Sequence, residues 1–407
     1  MIVRTSTKTA QQVQGQFMTP PEIARLMVKQ LRPETDMIVD FAAGDGSLLS
    51  AAEGRFPFAS LLGSEIDGAM IKNGGKELSA VAWRLGDGLK DKRLETRKVK
   101  SIGVLCNPPY AEFRQETPPE GLLLKAFPGL TTLHGRRRKE FYFLAKALLI
   151  ARRFGGIVSI LMPIGFADGD YFKQYRQILM DNYCVTHAIE LPSNIFPGTE
   201  VRTILIRVDA AKAKTNYVQI SRYLSQGSLL KPIVRKRLIS GERMDAKYHL
   251  GRRMIPSGTI AIRELGVSIT RGTFSRKEAD THKIRAIHTS DLSRTENGEL
   301  LLPRTRKLMK KCALNLVPVY AEPGDILISR TGSRVSWRPV VLRSGIAPIT
   351  DHVFRIRSPK EYVDLIKEAF FHPNFPKWVE MNIKGACASI LTKSELLNLP
   401  VFDYSRG

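Results

Sequence analysis

The sequence predicts an α/β protein: a doubly wound, Rossmann-like domain with a largely parallel sheet, followed by a smaller mixed α+β domain. Three observations carry this. Over about residues 15–208, short apolar runs alternate with amphipathic stretches, as strands alternate with covering helices in a parallel sheet. A glycine turn, Gly44-Asp45-Gly46, follows the first apolar run directly, where doubly wound folds place their ligand crevice. Beyond Val208 a small polar stretch, Asp-Ala-Ala-Lys-Ala-Lys-Thr-Asn, leads into short strand-like runs, many arginines and glycine-centred turns.

The strands are expected at Met37–Phe41, Ser60–Glu65, Ile102–Cys106, Ile157–Pro163, Thr186–Leu191 and Thr203–Val208, each bounded by Gly, Pro or charge. Pro21–Leu31 and Glu140–Phe154 read as covering helices. The expected division is 1–208 for the first domain and 209–407 for the second.

The chain has 407 residues, enough for two or three domains; 43% are hydrophobic and 25% charged, which excludes collagen-like and disordered classes. No apolar run approaches the ~18 residues of a membrane span, and Met1 to Gln16 lacks the apolar centre of a secretory signal. Cys106, Cys184, Cys312 and Cys387 form no CxxC pair, so the expectation is a reducing cytoplasm, with neither a disulfide framework nor a metal site. Net charge is +24; residues 209–407 carry 35 basic and 18 acidic side chains, against 28 and 21 in residues 1–208. An excess gathered in one half suits a polyanion-binding module.

Around the glycine turn the residue types give a phosphate cradle little support: there is no full GxGxxG and no Walker lysine. Asp40, beside the turn, suits a ligand with a cationic head. Glu65, ending the next strand, is placed to accept from ribose hydroxyls, and Asp87, in Leu85-Gly86-Asp87-Gly88, from an adenine amine. Successive strand ends bearing Asp40, Gly44 and Gly46, Glu65 and Asp87 form the pattern of an S-adenosylmethionine site; Ala42 and Ile66 adjoin it.

Cys106-Asn107-Pro108-Pro109-Tyr110 follows the next apolar run. Pro108 disfavours helix at Asn107 and Pro109 restricts the following turn. The Asn107 amide oxygen and the Pro108 carbonyl can then grip the two hydrogens of an exocyclic amine, with Tyr110 offering a face for a planar base.

These residues, in this order, resemble the amino-group DNA methyltransferases of the gamma class. Gly15-Gln16-Phe17-Met18-Thr19-Pro20 looks like that family's first cofactor motif, which implies that Phe17 and Thr19, with Asn107, contact the cofactor's methionine moiety. Ile195-Phe196-Pro197-Gly198-Thr199-Glu200-Val201-Arg202-Thr203 resembles its aromatic motif, which implies that Phe196 stacks on a flipped base opposite Tyr110. The resemblance covers about residues 15–208. It implies direct methyl transfer from S-adenosylmethionine to adenine N6 in double-stranded DNA, with the base flipped out. Protein glutamine amides or RNA base amines are the alternative substrates, and a DNA-binding relative without activity is the other class.

In the second half, Arg243–Tyr248, Ile269–Thr273, Pro323–Ser333 and the closing Gly385–Pro400 stretch look like target-recognition domains of type I restriction specificity subunits. Arg271, Arg330, Ser333 and Arg334 are the candidate DNA contacts, able to hold phosphate or guanine. The basic run Arg136–Lys139 is either a phosphate track or a solvated loop. The expected whole is a monomeric, self-contained bacterial methyltransferase, associated with the nucleoid through DNA, with one recognition domain and a short uninterrupted target. A restriction or defence component is its expected partner.

Overall fold

The computed structural model describes residues 17–74, 78–95, 98–197, 199, 201–213, 217–224, 234–238, 241–252, 255, 259–295, 297–302, 317–332, 337–385 and 389–401. Two compact units result, 1–249 and 250–407.

In the first unit, α1 (Pro21–Val28) starts with proline at its first position, and the Pro20 carbonyl accepts the Ile23 and Ala24 amides. It buries Ile23, Met27 and their neighbours. Then come β1 (Met37–Asp40), α2 (Ser47–Arg55), β2 (Ser60–Glu65), β3 (Val81–Leu85) and β4 (Ile102–Cys106). They are followed by α3 (Lys139–Arg153), β5 (Ile157–Pro163), α4 (Lys173–Asn182), β6 (Cys184–Glu190), β7 (Thr203–Asp209), β8 (Tyr217–Arg222) and β9 (Val234–Arg237).

The nine strands form one sheet in the order β3-β2-β1-β4-β5-β7-β6-β8-β9. From β3 to β5 all pairings are parallel, whereas β7 runs antiparallel to both β5 and β6. Strand order reverses between β1 and β4, so the carboxyl ends of these two strands flank the crevice. This is the doubly wound, Rossmann-like fold expected from the alternation of apolar runs, accompanied by a further unit. Among the described residues no helix is long and apolar enough to cross a membrane.

The boundary lies later than expected at 208. The polar stretch after Val208 is a connection within the sheet, because β8 pairs in parallel with β6. Arg243–Tyr248, expected in the second domain, also belongs to the first unit. Arg176 of α4 is 2% exposed and donates to the Gly241 and Glu242 carbonyls, and the Met244 amide donates to Ala167. Arg243 and Asp245 form a buried bidentate pair at 2.7 Å.

The second unit centres on a five-stranded sheet of β10 (Ser268–Arg271), β11 (Glu299–Leu301), β12 (Ile326–Ser329), β13 (Val340–Ser344) and β14 (Val353–Arg357), in the order β10-β14-β12-β13-β11. Helices α5 (Val363–Phe371) and α6 (Phe375–Asn382) supply Ile366, Phe370, Phe375 and Val379 to its core.

A chain ended after His249 should therefore melt cooperatively near the transition of the same unit in the full chain. One ended after Val208 exposes the edge of β6 and should melt lower, on the order of 10 °C, or aggregate. Thermal denaturation of both chains checks this.

Candidate active site

A cavity of about 320 Å³ opens at the carboxyl ends of β1, β2 and β4. Phe17, Thr19, Asp40, Ala42, Gly44, Glu65, Ile66, Asp87 and Asn107, all singled out from sequence, line it. Gly46 does not. Its φ of 87° makes the turn, but a Cβ there would lie 2.6 Å from Leu78, so its smallness serves packing. Pro108 is buried outside the lining, between Asn107 and Pro109, which belong to it.

The Asn107 side chain is held by two hydrogen bonds. Its Nδ2 donates to the Phe17 carbonyl at 2.8 Å and to Thr19 Oγ1 at 3.1 Å. A backbone carbonyl can only accept, so the amide nitrogen must face Phe17. Both amide hydrogens are thereby occupied, and no described residue donates to Oδ1. The side chain presents a fixed acceptor in the crevice.

Three carboxylates differ in what holds them. Asp40 is 1% exposed, accepts from the Ala42 amide at 3.0 Å, and pairs with no cation among the described residues. Burial pushes its carboxyl up to about 7, and the nearby Glu65 and Asp45 carboxylates add to the rise. Glu65 braces the turn: Oε2 accepts from Gly44 at 2.8 Å, and Oε1 from Ile66 and Asp67 at 2.9 Å each. Acceptance from a ribose would use its remaining lone pairs. Asp87 caps a short turn, with Oδ1 accepting from Leu89 at 2.9 Å. At Gly88 a Cβ would lie 1.7 Å from the Phe41 carbonyl oxygen, so only glycine lets this loop lie against the end of β1.

The aromatic rings meet at Phe17, 6.3 Å from Tyr110 and 6.5 Å from Phe196. Phe196 is 3% exposed and belongs to the core. The Tyr110 hydroxyl is buried without a hydrogen-bond partner, and burial, with Glu140 nearby, holds it well above its ordinary range.

The basic run Arg136–Lys139 is tied to the chain around it. Arg137 donates to the Phe113 and Arg114 carbonyls, and the Lys139 amide to Ala111. Lys139 Nζ stands 3.6 Å from Glu116 and 5.3 Å from the Phe113 ring centre. The run fastens the loop that leaves Tyr110, part of which (Phe113, Glu116, Thr117) lines the cavity.

Residues 1–223 match the family described as N-6 DNA Methylase. The chain belongs to that family. It is similar in structure to the type I restriction-modification methyltransferase subunit of Streptococcus thermophilus, at 21% identity over 53% of this chain and 50% of that one, with a TM-score of 0.43. A putative class I S-adenosylmethionine-dependent methyltransferase of Listeria monocytogenes matches at 19% over 53% of this chain and 68% of its own, TM-score 0.42. The type IIG restriction endonuclease BpuSI matches at 13% over 95% of this chain and 59% of its own, TM-score 0.48. The chain thus spans half the length of the Streptococcus subunit.

Of the second-unit candidates, Arg271 is exposed at the end of β10. Arg330 is half-buried, and its backbone is tied to His352 and Leu391. Ser333 and Arg334 lie outside the described residues. Within the Pro323–Ser333 run, Asp325 grips Arg357 through two bonds of 2.7 and 2.8 Å. Leu89 and Phe113 also line the cavity, and neither carries a local signal in the sequence.

Asp40 yields a test of the site's electrostatics. The folded protein keeps its proton up to about pH 7, whereas the ordinary carboxyl value is 3.8. Its contribution is thus fully present below the unfolded value and lost as pH rises through the folded one. Asp40→Asn should raise the stability of the ligand-free protein relative to wild type at pH 8, by up to about 4 kcal/mol, and the difference should shrink toward pH 5. Denaturant melts across pH check the sign.

Proposed function

We propose that the chain is a site-specific DNA adenine-N6 methyltransferase that uses S-adenosylmethionine. The observation that carries this reading is the fixed Asn107 amide, with both hydrogens occupied and Oδ1 directed as an acceptor at the strand-order reversal.

The cavity fits the cofactor. A buried carboxylate without a cation, Asp40, suits a ligand with a positive head, and the Asp87 carboxylate and Gly88 backbone form a cradle for its purine end. Phe17, Thr19 and Asp40 would hold the amino-acid end, Ala42 and Gly44 the turn beside it, Glu65 the ribose, and Ile66 and Asp87 the adenine. When bound, the sulfonium supplies an electrophilic methyl group.

The protein's own work is done on the target base. Asn107 Oδ1 and the Pro108 carbonyl accept the two hydrogens of the exocyclic amine, drawing its lone pair out of conjugation and aiming it into the crevice. Tyr110 supplies a stacking face, which offsets part of the unstacking penalty at ~1–3 kcal/mol per base. Phe196 is the second face, and its burial against Phe17 means that the rings rearrange when a base enters. Residues 250–407 form the target-recognition unit on double-stranded DNA, and a restriction or defence component is the natural partner of such an enzyme.

Asn107→Ala should lower methyl transfer to DNA by about 10²–10³-fold, while DNA affinity stays nearly unchanged. Near-normal turnover would remove its assigned role. Tyr110→Ala should lower the signal of a fluorescent base analogue at the target, and Phe196→Ala should do the same. An unchanged signal counts against that ring. Arg271→Glu should weaken DNA binding and flatten its salt dependence by about one unit of slope. An unchanged slope moves the DNA surface elsewhere.

A further inference from the structure

Lys146 lies in α3, on the same helix face as Phe143 of the cavity lining, and is 6% exposed. Its Nζ donates to the Leu89 carbonyl at 3.0 Å and to the Asp91 carbonyl at 2.6 Å, and stands 4.6 Å from the centre of the Phe41 ring. Phe41 and Leu89 both line the cavity, at its β1 and Asp87 sides respectively.

The ammonium is thus buried with two carbonyls and an aromatic face, and no carboxylate among the described residues is in ion-pair contact with it. Such a charge is unfavourable in itself: burial brings the amine down to about 8, against the opposing pull of Asp91, Asp87 and Glu95. An apolar residue of the same length would fill this space at less cost to the fold. What the ammonium does, and methionine could not, is draw the Leu89 and Asp91 carbonyls of the 87–91 loop toward one point under Phe41. The same loop must lie directly on the Phe41 carbonyl at Gly88, and its other end is anchored by the Asp91 carboxylate to Ser64 Oγ at 2.5 Å and Arg93 at 2.8 Å. Without Lys146 the Asp87 turn keeps its anchor at Asp91 and loses the one at Leu89.

We infer that Lys146 is a positioning residue for the purine end of the cofactor, holding the Asp87–Asp91 loop against Phe41 so that the Asp87 carboxylate and the adjacent backbone face the adenine. This rests on the cofactor reading given above and deepens it. Lys146 touches neither the cofactor's methyl group nor the target base, so its effect falls on binding and not on the chemical step.

The test uses the full chain, calorimetry with S-adenosylmethionine, adenosine and methionine, and steady-state methylation of DNA. Lys146→Met should weaken S-adenosylmethionine and adenosine binding about tenfold, leave methionine binding unchanged, raise KM for the cofactor, and leave kcat at saturation within about twofold. Its melting temperature at pH 7 should be no lower than that of wild type, because a buried charge has been removed. Lys146→Gln, which keeps a donor, should recover part of the adenosine affinity. Unchanged adenosine binding in Lys146→Met overturns the inference. So does parallel weakening of adenosine and methionine together with a lower melting temperature, which would mark a general structural role. If Lys146→Met fails to fold, Lys146→Gln alone decides through the ratio of adenosine to methionine affinity. If wild type binds neither S-adenosylmethionine nor its fragments, the cofactor reading itself fails, and the inference with it.

Discussion

An amide side chain can be aimed only if its two ends are told apart by their surroundings, and this constraint organises the site. Asn107 ends β4, while Phe17 and Thr19 stand about ninety residues earlier in the chain, just before α1. Their hydrogen bonds therefore tie the entry to the first helix directly to the strand end where order reverses. α1 must pack against the sheet to hold Phe17 and Thr19 there, and it does so through Ile23 and Met27, both fully buried. The far end of the same segment is fastened too: Arg32 donates to the Gly155 carbonyl at 2.9 Å and pairs with the buried Asp209. The two prolines that follow Asn107 restrict the backbone there. The outcome is one acceptor, oriented before any substrate arrives, which is the condition under which a hydrogen bond counts most toward a transition state.

The second organising feature is charge. The chain is strongly basic, yet its crevice gathers Asp40, Asp45, Glu65 and Asp87. The penalty is greatest at Asp40, which has only a backbone amide for compensation. A cationic ligand would relieve that penalty, and the burial would then favour a positively charged head. Cations nearby are directed elsewhere. Arg137 and Lys139 hold the loop beyond Tyr110, and Lys146 holds the loop beyond Asp87. Basic side chains around this acidic cavity are thus bound to backbone carbonyls, at Arg137 and Lys146, or to Glu116, at Lys139.

Much of this was legible in the sequence because buried parallel strands write themselves as unbroken apolar runs. The runs at 37–41, 60–65, 102–106, 157–163 and 203–208 all coincide with strands to within a residue or so. β3 carries no such run: Val-Ala-Trp-Arg-Leu is an edge strand with only Val81 buried. β8 was hidden by the polar stretch before it, which reads as a linker whether the chain leaves the sheet or merely turns back into it. The glycine turn and the three acids stood at the right strand ends, since chain order and spacing suffice for that. Their division of labour did not show, because Glu65 as a brace and Asp40 as an unpaired charge depend on contacts across some twenty residues or more. Lys146 and Arg137 were indistinguishable from solvated basic residues, since their partners are carbonyls and carbonyls leave no trace in sequence.

The account stands most directly on one measurement: modification-sensitive sequencing of DNA from a host without adenine methylation that expresses this chain alone. N6-methyladenine at every copy of one short, uninterrupted motif, and its absence with Asn107→Ala, is the predicted result. Methylation at another atom, or unmodified DNA from cells in which the chain is folded and binds S-adenosylmethionine, would contradict it.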